Sequence, residues 1–321
     1  MAGATLPYRS VLITGASGFV GRYLLNALRA RLGSGAVVHC ASRSDGMPVD
    51  LLDENSLRVV VAEARPDLVF HLAAQSSVGQ SSGAAATTWR VNAFGTLNLA
   101  EAITAEAPEA VVAFASSSEV YGATFNEGPV DESAVLAPLS VYARTKRGAE
   151  DVLRDTLSPT NRLVVFRPTN HSGPGQDARF VLPAFADQIA AIEAGRKPPV
   201  MQVGSLTAER DFLDVRDVVE AYLDVLASPE LGRCETFNVA SGNPIPISHV
   251  LDQLLAMTAS SVKIEQDLAR QRPSEIPRAA VNAEKIWLCT GWKPRHSLHE
   301  MIADVLTERR HFYIAGKKSG A

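Results

Sequence analysis

Short runs of β-branched and aliphatic residues alternate with longer stretches of helical periodicity through the first half of the chain, and this alternation narrows the fold more than any other feature. The runs cover 10–14, 36–41, 68–71, 110–116 and 163–167. Between them, 18–32, 54–64, 85–106 and 140–157 carry apolar residues three and four apart, as helices with one buried face do. Strands separated by helices pair in parallel through crossovers, so the pattern predicts an α/β fold with a doubly wound parallel sheet. A Pro/Gly-rich loop follows over 168–177, then shorter elements punctuated by Gly195, Pro198, Pro199 and Pro244. The expected organisation is a main domain over 1–167 and a smaller, less regular α/β lobe over 168–321, some segments of which return to the main sheet. A ligand cleft is expected between the two, at the carboxyl ends of the strands.

Composition removes several function classes. Of 321 residues 46% are hydrophobic and 21% charged, enough for a full core and unlike a disordered chain. Lys plus Arg is 31 and Asp plus Glu 35, a net charge of −4 that gives no support to a nucleic-acid or anionic-membrane partner. Cys40, Cys234 and Cys289 are too scattered for a disulfide framework or a CxxC metal pair. They are expected to be buried apolar residues, and no metal site is expected. Residues 1–9 lack the roughly 7 to 15 residue apolar stretch of a secretory signal, and no uncharged apolar segment of about 18 residues occurs. A cytoplasmic protein is the expectation.

The first strand runs into Gly15-Ala16-Ser17-Gly18-Phe19-Val20-Gly21. In this GxxGxxG turn Gly15 permits the tight bend, Gly18 lets backbone approach a pyrophosphate and Gly21 lets helix touch strand, while the helix N-terminus offers N–H groups to the anion. Any tight strand-to-helix turn uses glycine, so the position at the first strand strengthens the dinucleotide reading. The second strand ends in Cys40-Ala41-Ser42-Arg43-Ser44 without the acid that receives ribose hydroxyls in an NAD enzyme. Arg43 either holds a 2′-phosphate, which favours NADP(H) over NAD(H), or is solvated. Asp50, beside Leu51, is placed to accept from the adenine amino group, with a helix N-cap at Asp53 as the competing use of that cluster.

Tyr142 and Lys146 stand four apart on one predicted helix, preceded by Ser116-Ser117-Ser118-Glu119 at the end of a predicted strand. An ammonium beside a phenol stabilises the phenolate, so the tyrosine pKa is expected to fall from about 10 toward working pH. Tyr142 then exchanges a proton, Lys146 can hold cofactor ribose hydroxyls and a serine hydroxyl of that strand end can orient a carbonyl or alcohol oxygen, which serves hydride transfer at one carbon–oxygen bond. YxxxK alone is common on solvated helix faces; joined to the glycine turn and the serine-ended strand it carries the catalytic reading.

The chain resembles the extended short-chain dehydrogenase/reductases that act on nucleotide sugars. The shared segments are GASGFVG from Gly15, HLAAQS over 71–76, NxxGTxNL from Asn92, SSSEVYG from Ser116, YxxxK from Tyr142, RPTNHSGPGQ from Arg167, RDFLDVRDV from Arg210, RPSEIP from Arg272 and TGWKP from Thr290. Within that family they look most like the GDP-6-deoxy-4-keto-mannose reductases, sister enzymes of the GDP-mannose 4,6-dehydratases. The resemblance implies a catalytic Ser117, Tyr142 and Lys146. It implies cofactor contacts from the glycine turn, including Ser17, Phe19 and Val20, from Leu72, Ala73 and Ala74, and from Asn92. It implies substrate contacts from Ser76, Ser117, Glu119 and Val181, diphosphate contacts from Asn170, Arg210 and Arg272, and a ribose contact from Glu275. It also implies that 168–321 mainly binds the nucleotide sugar, GDP-linked as a class, and that helices over 85–106 and 140–157 pair across a homodimer.

Alternatives remain at three positions. Guanidinium forks suit phosphate oxygens, but Arg210 can instead pair with Asp211 or Asp214. His171 is either near the reacting groups or a hydrogen-bonded structural histidine. Glu119 matches the base of the family's dehydratases and has no obvious task in a reductase, so a 4,6-dehydratase or 4-epimerase with internally recycled cofactor stands beside the favoured reading, reduction of a GDP-4-keto-6-deoxyhexose to GDP-D-rhamnose. A regulatory cofactor sensor is disfavoured because Tyr142 and Lys146 are both present.

Overall fold

Strand residues that alternate between two apolar faces force the sheet into the middle of the molecule. Leu12, Val69, Val112 and Val165 face one core, while Val11, Ile13, Phe70, Ala113, Val164 and Phe166 face the other. With both faces apolar, such strands need helices on each side, and parallel crossovers supply them. The computed structural model describes residues 4–42, 46–76, 81, 83–229, 231–267 and 276–315. Among these, seven strands form one parallel sheet: β1 (Ser10–Thr14), β2 (Val37–Ser42), β3 (Met47–Pro48), β4 (Leu68–His71), β5 (Val111–Ala115), β6 (Arg162–Pro168) and, far along the chain, β11 (Cys234–Val239). Their spatial order is β11-β6-β5-β4-β1-β2-β3, so the winding reverses between β1 and β4. Ligands collect in the crevice at such a switch point.

Helices α1 (Phe19–Arg31), α2 (Glu54–Ala64), α3 (Ala85–Trp89), α4 (Gly95–Glu106) and α5 (Val141–Thr156) are the crossovers. Asp53 caps α2 by accepting from Ser56 N at 3.1 Å, and Ser140 caps α5 through Ala143 N at 3.0 Å. The single helix expected over 85–106 is interrupted by a π turn, Arg90–Phe94. One extra residue per turn leaves no mark on apolar spacing, yet it turns Asn92 inward, where its Oδ1 accepts from Gln75 N at 2.8 Å and its Nδ2 donates to Thr145 Oγ1 at 3.0 Å.

The Pro/Gly-rich stretch contains a short strand, β7 (Asn170–Ser172), paired with β10 (Phe212–Asp214). Around it lie α6 (Val181–Glu193), β8 (Val200–Val203), β9 (Glu209–Arg210), α7 (Val215–Leu226), β12 (Ile245–Pro246), α8 (Ile247–Ala256), β13 (Lys263–Gln266), α9 (Glu284–Thr290) and α10 (Leu298–Ala315). A separate core of Leu182, Phe185, Ile189, Leu254, Ile302 and Val305 joins α6, α8 and α10. The later half is therefore divided, since β11 extends the main sheet beside β6 and α7 packs its apolar face onto the main core. The cysteines depart from expectation: Cys234 and Cys289 are exposed and Cys40 is half-buried. Cys234 opens the sheet's edge strand, and Cys289 lies on the outer side of α9, positions where no neighbour covers a thiol.

His71, at the end of β4, is 1% exposed. Thr96 gives its hydroxyl proton to Asn92 O at 2.6 Å, so His71 Nε2 donates to Thr96 Oγ1 at 2.8 Å and Nδ1 accepts from Thr14 Oγ1 at 2.8 Å. Burial, aided by the Lys146 charge, pushes the imidazole down to about 3. The unfolded chain takes up this proton below about pH 6.5 and the folded chain does not, so stability is present above that value and lost as pH falls toward 3. At about pH 4.5 the loss from this one group is about 3 kcal/mol. Urea unfolding of the protein and of His71→Asn at both pH values checks it; the variant should lose less stability on acidification, and equal losses would refute the assignment.

Candidate active site

The glycine turn is built so that only backbone fits. Gly15 has φ +76°, and a Cβ there would lie 2.8 Å from Ala73 N. A Cβ on Gly21 would lie 2.3 Å from Gly15 O. The helix that follows begins at Gly18 without a side-chain cap, so its first N–H groups face the cleft. A cradle with no room for side chains and an uncapped helix N-terminus fits the pyrophosphate of a dinucleotide. Ser17 is exposed at the outside of the turn, whereas Gly15, Gly18, Phe19, Val20 and Gly21 line a cavity of about 360 Å³. Leu72, Ala73 and Ala74, after β4, line it beside the glycine turn.

Other residues expected at the cofactor stand elsewhere. Asn92 is 2% exposed and braces the 73–76 segment and α5 from behind, not from the cavity wall. Asp50 is exposed and accepts from Leu52 N at 3.0 Å, while Leu51 is buried against α4. Arg43 lies outside the described residues.

Ser116, Ser117, Glu119 and Tyr142 line the same cavity as the glycine turn. Ser117 caps a 3-10 turn, Ser118–Tyr121, by accepting from Glu119 N at 3.2 Å. Lys146 is 4% exposed; its Nζ donates to Ala115 O at 2.7 Å and lies 4.8 Å from the Phe114 ring centroid. The expected lowering of the phenol is overturned. Burial pushes Tyr142 up to about 12, with the Glu119 charge adding to it and a hydrogen bond with Ser117 opposing it. Burial also draws Lys146 down to about 8 against the Glu150 charge. Desolvation outweighs the Ser117 hydrogen bond because the phenol lines a protein-walled cavity, where forming an anion is costly.

Towards the lobe, Ser76, Asn170 and Val181 also line the cavity. Arg210 donates through Nη1 to Glu209 O at 2.8 Å; burial lowers its pKa and the Glu119 charge raises it, so this cation and that anion face each other. The carboxylates considered as its partners are engaged: Asp214 by Arg216 at 2.6 Å, Asp211 by Ser241 at 2.8 Å and Gly242 at 2.8 Å. Arg272 and Glu275 lie outside the described residues. His171 lines the cavity, stacks on Phe19 with rings 6.3 Å apart and 5° inclined, and is hydrogen-bonded through Nδ1 to Thr169 O at 3.0 Å. Burial lowers its pKa and keeps it neutral. Among the lining residues missed from sequence are Ser172 and Gln176, whose Oγ and Oε1 are buried without a partner among the described residues. Such atoms suit ligand contacts, and their only sequence signal is membership of the NHSGPGQ stretch.

Behind Tyr142 runs a buried polar chain. Glu150 accepts from Ser116 Oγ at 2.5 Å, from Arg167 Nε at 3.0 Å and Nη2 at 2.7 Å, and from Arg154 at 3.1 Å. Arg167 continues to Tyr121 Oη at 3.0 Å, which donates to Asn238 Oδ1 at 2.7 Å. Among the described residues no group of three His, Cys, Asp or Glu is arranged for a metal, and no helix is long and apolar enough to cross a membrane.

A crevice at the switch point of a doubly wound sheet, walled by a glycine turn, a serine and a tyrosine, defines an extended short-chain dehydrogenase/reductase; Lys146, expected to hold the cofactor ribose, is buried behind that wall on the Ala115 carbonyl. The chain belongs to the GDP-mannose 4,6 dehydratase family, whose model it matches over residues 12–305. It is 34% identical to the GDP-6-deoxy-D-mannose reductase of Pseudomonas aeruginosa, over 93% of this chain and 96% of that protein. It is 31% identical to the UDP-glucose 4-epimerase of Mycolicibacterium smegmatis, over 91% of this chain and 96% of that protein. Among solved structures, RMD from Pseudomonas aeruginosa complexed with NADPH superposes with a TM-score of 0.84 at 32% identity, covering 94% of this chain and 99% of that one.

Proposed function

We propose that this enzyme reduces the C4 ketone of a GDP-4-keto-6-deoxyhexose, giving GDP-D-rhamnose, with NADP(H) favoured over NAD(H). The observation that carries the reading is that Ser117 and Tyr142 share one cavity with the glycine turn. When bound in that cavity, a reduced nicotinamide would supply the hydride that the sugar carbon takes up. Tyr142 gives the proton to the oxygen, Ser117 orients that oxygen by hydrogen bonding, and Lys146 contributes a nearby positive charge as the alkoxide forms. Because burial keeps Tyr142 protonated through neutral pH, it begins as a donor. Asn170, Arg210 and Arg272 would hold the diphosphate and Glu275 the nucleoside ribose; the NADPH bound by the Pseudomonas aeruginosa neighbour and the reductase among the relatives support the cofactor and substrate assigned.

Glu119 favours the second reading, a dehydratase or epimerase, since it places a carboxylate on the wall beside Tyr142. Following the absorbance of NADPH with the keto sugar present separates the two. Stoichiometric loss of absorbance is expected, and an unchanged signal would dispose of the reductase. Trp89 and Phe94 present exposed aromatic rings along α3 and its π turn, and we assign that face to a homodimer, which sedimentation would show. The exposed free thiols Cys234 and Cys289 suit a reducing compartment, and we place the enzyme in the cytoplasm.

A further inference from the structure

Glu150 has no exposed side-chain surface and takes no part in the chemistry above. It lies one helical turn beyond Lys146 on α5. Lys146 donates to Ala115 O and Glu150 accepts from the hydroxyl of the next residue, Ser116, so the two grip consecutive residues at the carboxyl end of β5. Ser117, the residue after those, is on the cavity wall. We propose that Glu150 is a positioning residue: it supplies the buried counter-charge that keeps the Lys146 ammonium ionised, and through Ser116 it fixes the strand end from which Ser117 reaches the cavity. The proposal rests on Tyr142 and Lys146 being the reacting pair.

The groups around each partner decide the sign. Facing Lys146 are the Phe114 ring and Ala115 carbonyl of β5, the neutral His71 of β4 and, on its own helix, Glu150. Glu150 is the anion that opposes the loss of the lysine's proton. Facing Glu150 are Arg167 of β6, Arg154 of its own helix and Ser116. Burial alone would raise the carboxyl, but Arg167, Ser116 and Arg154 together hold it below the usual range, so it stays ionised at neutral pH. Removing its charge should let Lys146 lose its proton more easily. Removing one neighbouring cation should do the reverse.

The test uses full-length protein with isotope-labelled lysine. The Lys146 titration is followed by NMR without cofactor, and the pH dependence of NADPH oxidation is measured in parallel. For Glu150→Gln the Lys146 midpoint and the basic limb of kcat/KM should both move down by about one pH unit or more, with activity near pH 6 reduced only a few-fold. For Arg154→Gln, at a side chain partly in water, both should move up by a few tenths of a unit. A loss of activity by the same factor at every pH, with the Lys146 titration unmoved, makes Glu150 merely structural and overturns the proposal. Should Glu150→Gln fail to fold, Arg154→Gln decides alone, and an unmoved midpoint there overturns it. If the functional reading is what fails, unaltered protein will not oxidise NADPH while the lysine titration still reports on Glu150.

Discussion

Replacing Tyr142 with phenylalanine is expected to lower turnover by roughly 10²- to 10⁴-fold while leaving the dissociation constant for NADPH within a few-fold of its original value. The substitution removes one hydroxyl and keeps the ring that fills the cavity wall. In the reductive direction the lost group is the proton source, and neither neighbour replaces it. Ser117 has no acidity to offer near neutral pH, and Lys146 is turned to the Ala115 carbonyl at 2.7 Å. Fluorescence titration with NADPH and initial rates with the keto sugar, on the same preparations, separate binding from chemistry. Full activity in this variant would remove Tyr142 from the reaction, and a matched loss of binding and activity would make it a structural residue of the cavity.

The sheet was legible because its strands are apolar on both faces and short. The alternation of Leu12 with Val11 and Ile13, repeated in β4, β5 and β6, can be read without coordinates. The glycine turn and the Tyr142–Lys146 spacing were legible for the same reason: each is a local pattern whose meaning survives tertiary folding. What depends on distant contacts was not. Asn92 turns inward through a π turn that shifts the helix by one residue, and its partners, Gln75 and Thr145, are remote in sequence. The two-residue strands β9 and β12 are too short for any periodicity, so the pairing that places Arg210 had no signature. Most instructive is Tyr142. Helical spacing correctly places an ammonium one turn away, but the pKa is set by how much water reaches the phenol, a property of the whole cavity. The exposed thiols Cys234 and Cys289 fail by the same logic, because a residue's preference for the interior says nothing about whether an edge strand or outer helix face has a cover.

Gly21→Ala is expected to be the most damaging single-methyl change at the site, weakening NADPH binding by more than roughly tenfold and destabilising the fold by about 1–3 kcal/mol. Its Cβ would come within 2.3 Å of Gly15 O and 2.6 Å of Ala16 O, both backbone atoms of the turn itself. No rotamer relieves such a clash, so the start of α1 must move away from β1. That movement carries the uncapped N–H groups out of the position that faces an anion, which links the loss of stability to the loss of binding. Gly18→Ala is the comparison, because its Cβ would meet one atom, Gly15 O, at 3.1 Å. A shift of a few tenths of an ångström accommodates it, and its melting temperature should stay within a few degrees of the unaltered protein. Thermal unfolding and NADPH titration of the two variants read both effects. If Gly21→Ala were destabilised yet bound NADPH normally, the helix N-terminus would not be what receives the pyrophosphate, and the dinucleotide would have to lie elsewhere along the cavity.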